Sequence, residues 1–261
     1  MGMKKDSVLI ILPCLQRGTD SNFPYSKELV SVGDGVSLVD LSFRHILSSR
    51  VKPRVALIVG PHGSDIAEYV QKKYKGKVDL VTLSQKKNHK NLADAVRSVK
   101  HLFGDKNILL VPSSIIEHED SSKVSLVDEI LGSLDNQPFV FVCKREDSVT
   151  KLRSSGVLNI QKEVIIDFED KPLNAKKYNA FWVSFGFKKV VANEVLSVIR
   201  QSGMRKANFK KMFKKSVMYG SLPINVDSYA DISTWTNLNA YLLKQYLTES
   251  GVDPLFLKIR R

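Results

Sequence analysis

Cysteine is nearly absent: Cys14 and Cys143 are the only two in 261 residues. Two thiols so far apart form neither a disulfide framework nor a zinc-ligand spacing, and a reduced, cytoplasmic setting is the simplest reading. Cys14 falls in the first loop, as either a reactive thiol or a small half-buried residue. Long hydrophobic runs are missing too, and none approaches the roughly 20 residues that cross a bilayer. Lys4-Lys5 before Val8-Leu9-Ile10-Ile11-Leu12 mimics a secretory signal. That run is short, and Pro13 to Asp20 lacks a small-residue cleavage site, so a buried strand accounts for it better. Glycine (14) and proline (9) are too scattered for a linker, and no repeat or low-complexity tract interrupts the chain. One continuous domain over residues 1–261 is expected. Acidic residues are outnumbered 27 to 40 by Lys and Arg, a formal charge of +13. The excess favours anionic ligands without choosing among phosphates, nucleic acid and acidic lipid.

What remains is an ordinary globular composition, 43% hydrophobic and 26% charged, in a chain long enough to enclose a substantial core. The first half alternates short apolar runs with amphipathic stretches. Strands are expected at Val8 to Leu12, Val55 to Val59, Val78 to Leu83 and Ile108 to Val111. Helices are expected at Leu38 to Leu47, Ser64 to Lys73, Leu92 to Leu102 and Val124 to Leu134. Such alternation implies βαβ units and a mainly parallel sheet covered on both faces. Right-handed crossovers bring the loops after the first and fourth strands to one edge, where α/β proteins bind ligands. Beyond Val140 the pattern changes. Phe139 to Lys144, Gly156 to Gln161, Val164 to Phe168 and Ala180 to Phe187 read as strands of a mixed extension. Helices follow at Val190 to Gln201 and Asn208 to Lys215, then a strand near Leu222 to Val226 and a helix from Trp235 to Leu247.

Four segments carry the chemistry. Ser26-Lys27-Glu28-Leu29-Val30-Ser31-Val32-Gly33 sets a lysine just past the first strand, where it can neutralise a phosphate or simply precede a turn. Val59-Gly60-Pro61-His62-Gly63 ends the second strand. Gly156-Val157-Leu158 precedes Asp167-Phe168-Glu169-Asp170-Lys171-Pro172, in which Asp-Lys-Pro is also an ordinary turn sequence. Asp231-Ile232-Ser233-Thr234-Trp235 precedes the last helix, which Asp231 or Ser233 would suit as a cap.

In this order the segments resemble the sugar-1-phosphate nucleotidylyltransferases, including glucose-1-phosphate thymidylyltransferases and uridylyltransferases, over roughly residues 7 to 247. The resemblance implies a three-layer, Rossmann-like (GT-A-like) α/β fold with a mixed, mainly parallel sheet. It implies a nucleotide-binding half over 1–137 and a sugar-binding half over 138–261. It assigns Lys27 to the triphosphate, and Leu12, Gly18, Thr19 and Gln85 to the nucleotide. Gly156, Asp170 and Lys171 go to the sugar phosphate and Asp231 to Mg²⁺. Gly156 would let its backbone approach the sugar, Asp170 would accept from sugar hydroxyls, and Lys171 would meet the phosphate. The partners implied are a nucleoside triphosphate or nucleotide sugar and a sugar phosphate, with a homo-oligomer as a further expectation.

The chain also departs from the family. Where the family reads roughly Gly-Gly-x-Gly-Thr-Arg, this chain reads Pro13-Cys14-Leu15-Gln16-Arg17-Gly18-Thr19-Asp20. Proline supplies no amide donor and leucine adds bulk to a loop that should close on phosphate. Asp20 stands in the arginine's place, leaving Arg17 as the substitute catalytic cation. The fourth strand ends in Pro112-Ser113-Ser114 rather than in a metal-binding aspartate, and the nearest acids are Glu117, Glu119 and Asp120. Two functions therefore stand side by side: a divergent nucleotidylyltransferase, and a catalytically silent relative that binds a nucleotide sugar. A third class is suggested by Arg205 to Lys215, a basic amphipathic helix that suits nucleic acid or anionic membrane or packs its apolar stripe on the sheet.

Overall fold

The apolar runs of the first half lie side by side within a nine-stranded sheet. The structure, a computed structural model, describes residues 7–15, 26–61, 63–85, 92–112, 114–118, 124–202, 208–232 and 234–249. β1 (Val8–Cys14) is buried along its whole length, as an unbroken apolar strand covered on both faces must be. It pairs in parallel with β2 (Arg54–Val59), and β2 pairs in parallel with β3 (Asp79–Ser84). On its other side β1 pairs in parallel with β4 (Lys106–Leu109). The C-terminal ends of the first and fourth strands therefore lie side by side at one edge of the sheet, as expected. β3 is the outer strand, and its alternating exposure departs from the fully buried strand its sequence suggested.

Helices cover both faces. α1 (Leu38–Leu47), α2 (Ser64–Tyr74) and α4 (Leu126–Asn136) pack Phe43, Ile66 and Ile130 against Ile10, Leu12 and Leu57. The opposite face receives α3 (Leu92–Ser98) and α6 (Ala192–Ser202), whose Val96 and Leu196 pack with Leu9, Ile11 and Ile58. The result is the expected three-layer, mixed α/β architecture. α1 is capped as its sequence demands: the Ser37 N–H donates to Asp40 Oδ2 at 2.9 Å within a capping box. α3 is shorter than expected, giving way at Lys100–Leu102 to a 3₁₀ turn.

The mixed half is built on β6 (Phe139–Arg145) and β9 (Ala180–Lys188), where β9 runs antiparallel to both β6 and β4. β7 (Gly156–Gln161) pairs only with the start of β9, through Val157–Phe181 and Leu158–Ala180. The hairpin of β7 and β8 (Val164–Asp170) consequently overhangs the C-terminal edge of β4 and β1. Three short elements escaped the sequence reading: β5 (Ser114–Glu117), its antiparallel partner β11 (Ser228–Asp231) and the five-residue α5 (Val149–Arg153). The strand expected near Leu222 to Val226 is present as β10, confined to Ile224–Asn225. α7 (Phe209–Lys214) settles its own alternatives: Phe209 and Phe213 belong to the core, and its lysines are exposed. The stripe that could have met lipid is already packed. α8 (Trp235–Glu249) closes the described chain, and no helix among the described residues is long and apolar enough to cross a membrane.

Candidate active site

Lys27 opens a 3₁₀ turn, Lys27–Leu29, closed by Leu29 N–H to Ser26 O at 2.9 Å and Val30 N–H to Lys27 O at 3.0 Å. Ser26 is clamped from outside the turn. Its N–H donates to Asp65 Oδ2 at 2.8 Å and its hydroxyl to Oδ1 at 2.6 Å. Asp65 sits in the first turn of α2, where it also accepts the Ile66 N–H at 2.7 Å. Burial alone would raise the Asp65 pKa, but the donors from Ser26 and the backbone outweigh it and hold the carboxyl below its usual range. The charge of Lys27 is felt at Cys14 and Glu28, which puts the lysine beside the C-terminal end of β1. Glu28 is 1% exposed, neither of its carboxyl oxygens has a hydrogen-bond partner among the described residues, and burial pushes its pKa up. Cys14 ends β1 rather than lying in a loop; it is fully buried, and burial drives its thiol pKa well up. That removes the reactive-thiol reading.

On the far side of the edge, Gly156 opens β7 directly opposite Asp170 of β8. Lys171 follows with φ of 49°, a left-handed turn, and its N–H donates to Ser155 O at 2.9 Å. Gly156, Asp170 and Lys171 are thus brought together at the open end of one hairpin. The register also sets their height in the sheet. Leu109 of β4 faces Phe185, and Trp182 lies three residues further toward the C-terminal edge of β4. Since Val157 faces Phe181, Gly156 comes level with Trp182.

Trp182 is a feature that sequence reasoning missed. A Cβ placed on Gly156 would meet the Trp182 indole at 2.1 Å from Nε1 and 2.9 Å from Cδ1. The indole therefore lies against the Gly156 backbone, with its body packed on Phe185 and Phe141 at ring-centroid distances of 5.8 and 6.4 Å. Its N–H is buried and finds no acceptor among the described residues, a state that costs about 1–3 kcal/mol. The only sequence signal was a tryptophan in a strand whose neighbour begins with glycine.

Asp231 ends β11 and faces Ser114, the first residue of β5, just past the end of β4. The fold thus joins the two segments from which a metal site would be assembled, but the donors described there do not make one up. Asp231 is a single carboxylate, and the Ser114 hydroxyl donates to Val111 O at 2.9 Å. Among the described residues no group of three or more Asp, Glu, His or Cys converges. Mg²⁺ takes an octahedron of oxygen donors, usually with one or two carboxylates, so no catalytic step is routed through it here. Asp231 is not the helix cap either: the Asn237 N–H donates to Thr234 Oγ1 at 3.2 Å, making Thr234 the cap of α8.

Gln85 stands at the end of β3, its N–H donating to Val59 O at 2.7 Å and its side-chain Nε2 buried without an acceptor among the described residues. Leu12 is fully buried in β1 and facing the core, so only its main chain is available to a nucleotide. Arg17, Gly18 and Thr19 lie outside the described residues, as do Ser113, Glu119, Asp120 and Ser233. A cavity of about 500 Å³ lies elsewhere, between α1, β5 and α8, and is lined by Arg44, His45, Glu117, Tyr241 and Gln245 among others. None of the residues assigned to the nucleotide, the sugar phosphate or Mg²⁺ lines it.

No curated protein matches this sequence. Solved structures do match the fold. A protein assigned as a glucose-1-phosphate thymidylyltransferase from Bacillus anthracis, in complex with sucrose, superposes with a TM-score of 0.72 at 16% identity, covering 91% of this chain and 95% of that one. A UDP-glucose pyrophosphorylase from Acinetobacter baumannii gives 0.70 at 12% identity over 97% and 98% of the two chains. A UDP-glucose pyrophosphorylase complexed with UDP-glucose gives 0.69 at 12% identity over 93% and 99%. At these identities the structures speak for architecture alone. Sequence carries the assignment further, because the nucleotidyl transferase profile runs through residues 23–242, from just before Lys27 to beyond Asp231, and the chain belongs to that family.

Proposed function

We propose that the protein transfers a nucleotidyl group from a nucleoside triphosphate to a phosphorylated acceptor of the sugar-phosphate class, releasing pyrophosphate. An acceptor phosphate oxygen attacks the α-phosphorus in line, the new P–O bond forms, and the bond to the β-phosphate oxygen breaks. Such catalysis is chiefly positioning and charge neutralisation. Lys27 neutralises the triphosphate, with Arg17 as the second cation. Gln85 reads the base through its amide, while Leu12, Gly18 and Thr19 line the nucleotide. Lys171 and Asp170 hold the acceptor. Any Mg²⁺ arrives on the triphosphate as part of the substrate, with Asp231 as the carboxylate to meet it.

The observation that most supports this reading is the Ser26–Asp65 clamp. It fixes the backbone of a lysine at the C-terminal edge of a parallel sheet, the place where open α/β sheets bind ligands. A second reading, a silent relative that binds nucleotide without turnover, is favoured by Ser114 standing where Asp231 needs a carboxylate partner.

Pyrophosphate release from each of the four common ribonucleoside triphosphates and dTTP, with a panel of phosphorylated acceptors, separates the two. Turnover that falls about 10²–10³-fold in Lys27→Ala supports the enzyme. Triphosphate-dependent thermal stabilisation without pyrophosphate supports the silent relative. Turnover unchanged in Lys27→Ala would remove the lysine from the mechanism.

A further inference from the structure

From the indole seated on Gly156, we infer that Trp182 determines acceptor specificity: it fills the place of a sugar ring, and the acceptor is an acyclic polyol phosphate. The inference rests on the proposed transfer reaction and narrows its acceptor. A glycine at the mouth of a ligand edge leaves room for something to touch its backbone. Here that room is taken, because even a methyl group on Gly156 would lie 2.1 Å from Trp182 Nε1. A pyranose cannot enter between the two. Asp170 and Lys171 remain at the same hairpin end, Asp170 directly across from Gly156. A linear chain can run past the indole, set its C–H faces on the ring, offer hydroxyls to Asp170 and bring its phosphate to Lys171.

Two further observations point the same way. The Trp182 side chain is braced by Phe141 and Phe185, so it is a wall rather than a loose lid. Its buried N–H has no acceptor among the described residues, and an unsatisfied buried donor in a native fold calls for an explanation. The neighbouring edge is apolar as well: Leu15, Leu83, Leu92 and Val111 are only partly covered, on the same face of the sheet as Trp182. That surface suits a base and a carbon chain better than a ring bearing hydroxyls on every side.

The test uses the full chain, with calorimetric titration of ribitol 5-phosphate, glycerol 3-phosphate and glucose 1-phosphate in the presence of whichever triphosphate stabilises the protein. Wild type is expected to prefer one of the two acyclic phosphates over glucose 1-phosphate by at least about tenfold. Trp182→Ala should erase that preference by gaining glucose 1-phosphate. Trp182→Phe, which keeps most of the bulk, should retain it, so the pair stays informative if the alanine variant folds poorly. Glucose 1-phosphate bound by wild type as tightly as the acyclic phosphates, or a preference unchanged in a folded Trp182→Ala, overturns the inference and leaves Lys27-dependent triphosphate binding standing. Failure of every triphosphate to bind takes down the proposed reaction and the inference together.

Discussion

Asp40 gathers four hydrogen bonds onto one carboxylate that is 4% exposed: from Ser37 N–H at 2.9 Å, Lys73 Nζ at 2.7 Å, Tyr69 Oη at 2.8 Å and Tyr74 Oη at 2.6 Å. Burial would raise its pKa, but these donors, led by Lys73, outweigh it and bring the value down to about 2. The group ties α1 to α2 and so supports the Lys27 turn, since the Leu38 N–H at the start of α1 donates to Val30 O at 3.1 Å, directly after Lys27–Leu29. A depressed carboxylate stabilises the fold above its unfolded pKa of about 3.9, and that stability is lost as pH falls toward 2. Asp40→Asn should therefore cost about 1–3 kcal/mol at pH 7. Urea melts of both proteins between about pH 6 and pH 2.5 should converge as the wild-type carboxylate protonates. A gap that stays constant with pH would mean that shape, not charge, holds the two helices together.

At the scale of elements, Gly156→Ala puts the strand contact to a direct test. The added methyl meets the indole and two residues of paired strand restrain the backbone, so a loss of about 1–3 kcal/mol is expected from overpacking. Adding Trp182→Ala should recover most of it, a coupling of at least about 0.5 kcal/mol in thermal or urea unfolding. Independent, additive effects would show that the two side chains do not touch. This contact also marks where the sequence stopped being legible. Unbroken apolar runs such as Val8 to Leu12 are strands whatever surrounds them, and Phe43, Ile66 and Ile130 announce their helix faces by spacing. Ser114–Glu117 and Ser228–Asp231 are four residues each, too short for a period to register, and are strands because they meet each other across the fold. Five-residue α5 depends on its Ser148 cap, whose hydroxyl accepts from Lys151 N–H. The site divides in the same way. Lys27, Gly156, Asp170, Lys171 and Asp231 were legible as residue types in order. Ser26 and Trp182 act through partners supplied by α2 and β7, and no local pattern names such partners. Nor does a sequence say which side chain lies against a glycine such as Gly156, where the Trp182 indole sits.

For the molecule as a whole, the +13 charge attracts any polyanion, and a specific site has to be told apart from that field. α7 shows the difference in one element: Lys210, Lys211, Lys214 and Lys215 are exposed, while Phe209 and Phe213 are consumed by the core. Such lysines contribute long-range attraction with no geometry. Lys27 is held by a turn that Asp65 fixes, so its contribution is short-range. Salt separates the two, because the screening length falls from about 10 Å at 0.1 M to about 3 Å at 1 M. Heparin binding should vanish by about 0.5 M NaCl, as for any sum of diffuse attractions. Triphosphate affinity should weaken over the same range yet persist, and the loss caused by Lys27→Ala should keep most of its size at high salt, since a direct contact lies inside the screening length. If triphosphate and heparin binding instead disappear together, and the Lys27→Ala difference closes as salt rises, the C-terminal edge of this sheet holds charge without a site, and the transferase chemistry assigned to it goes with it.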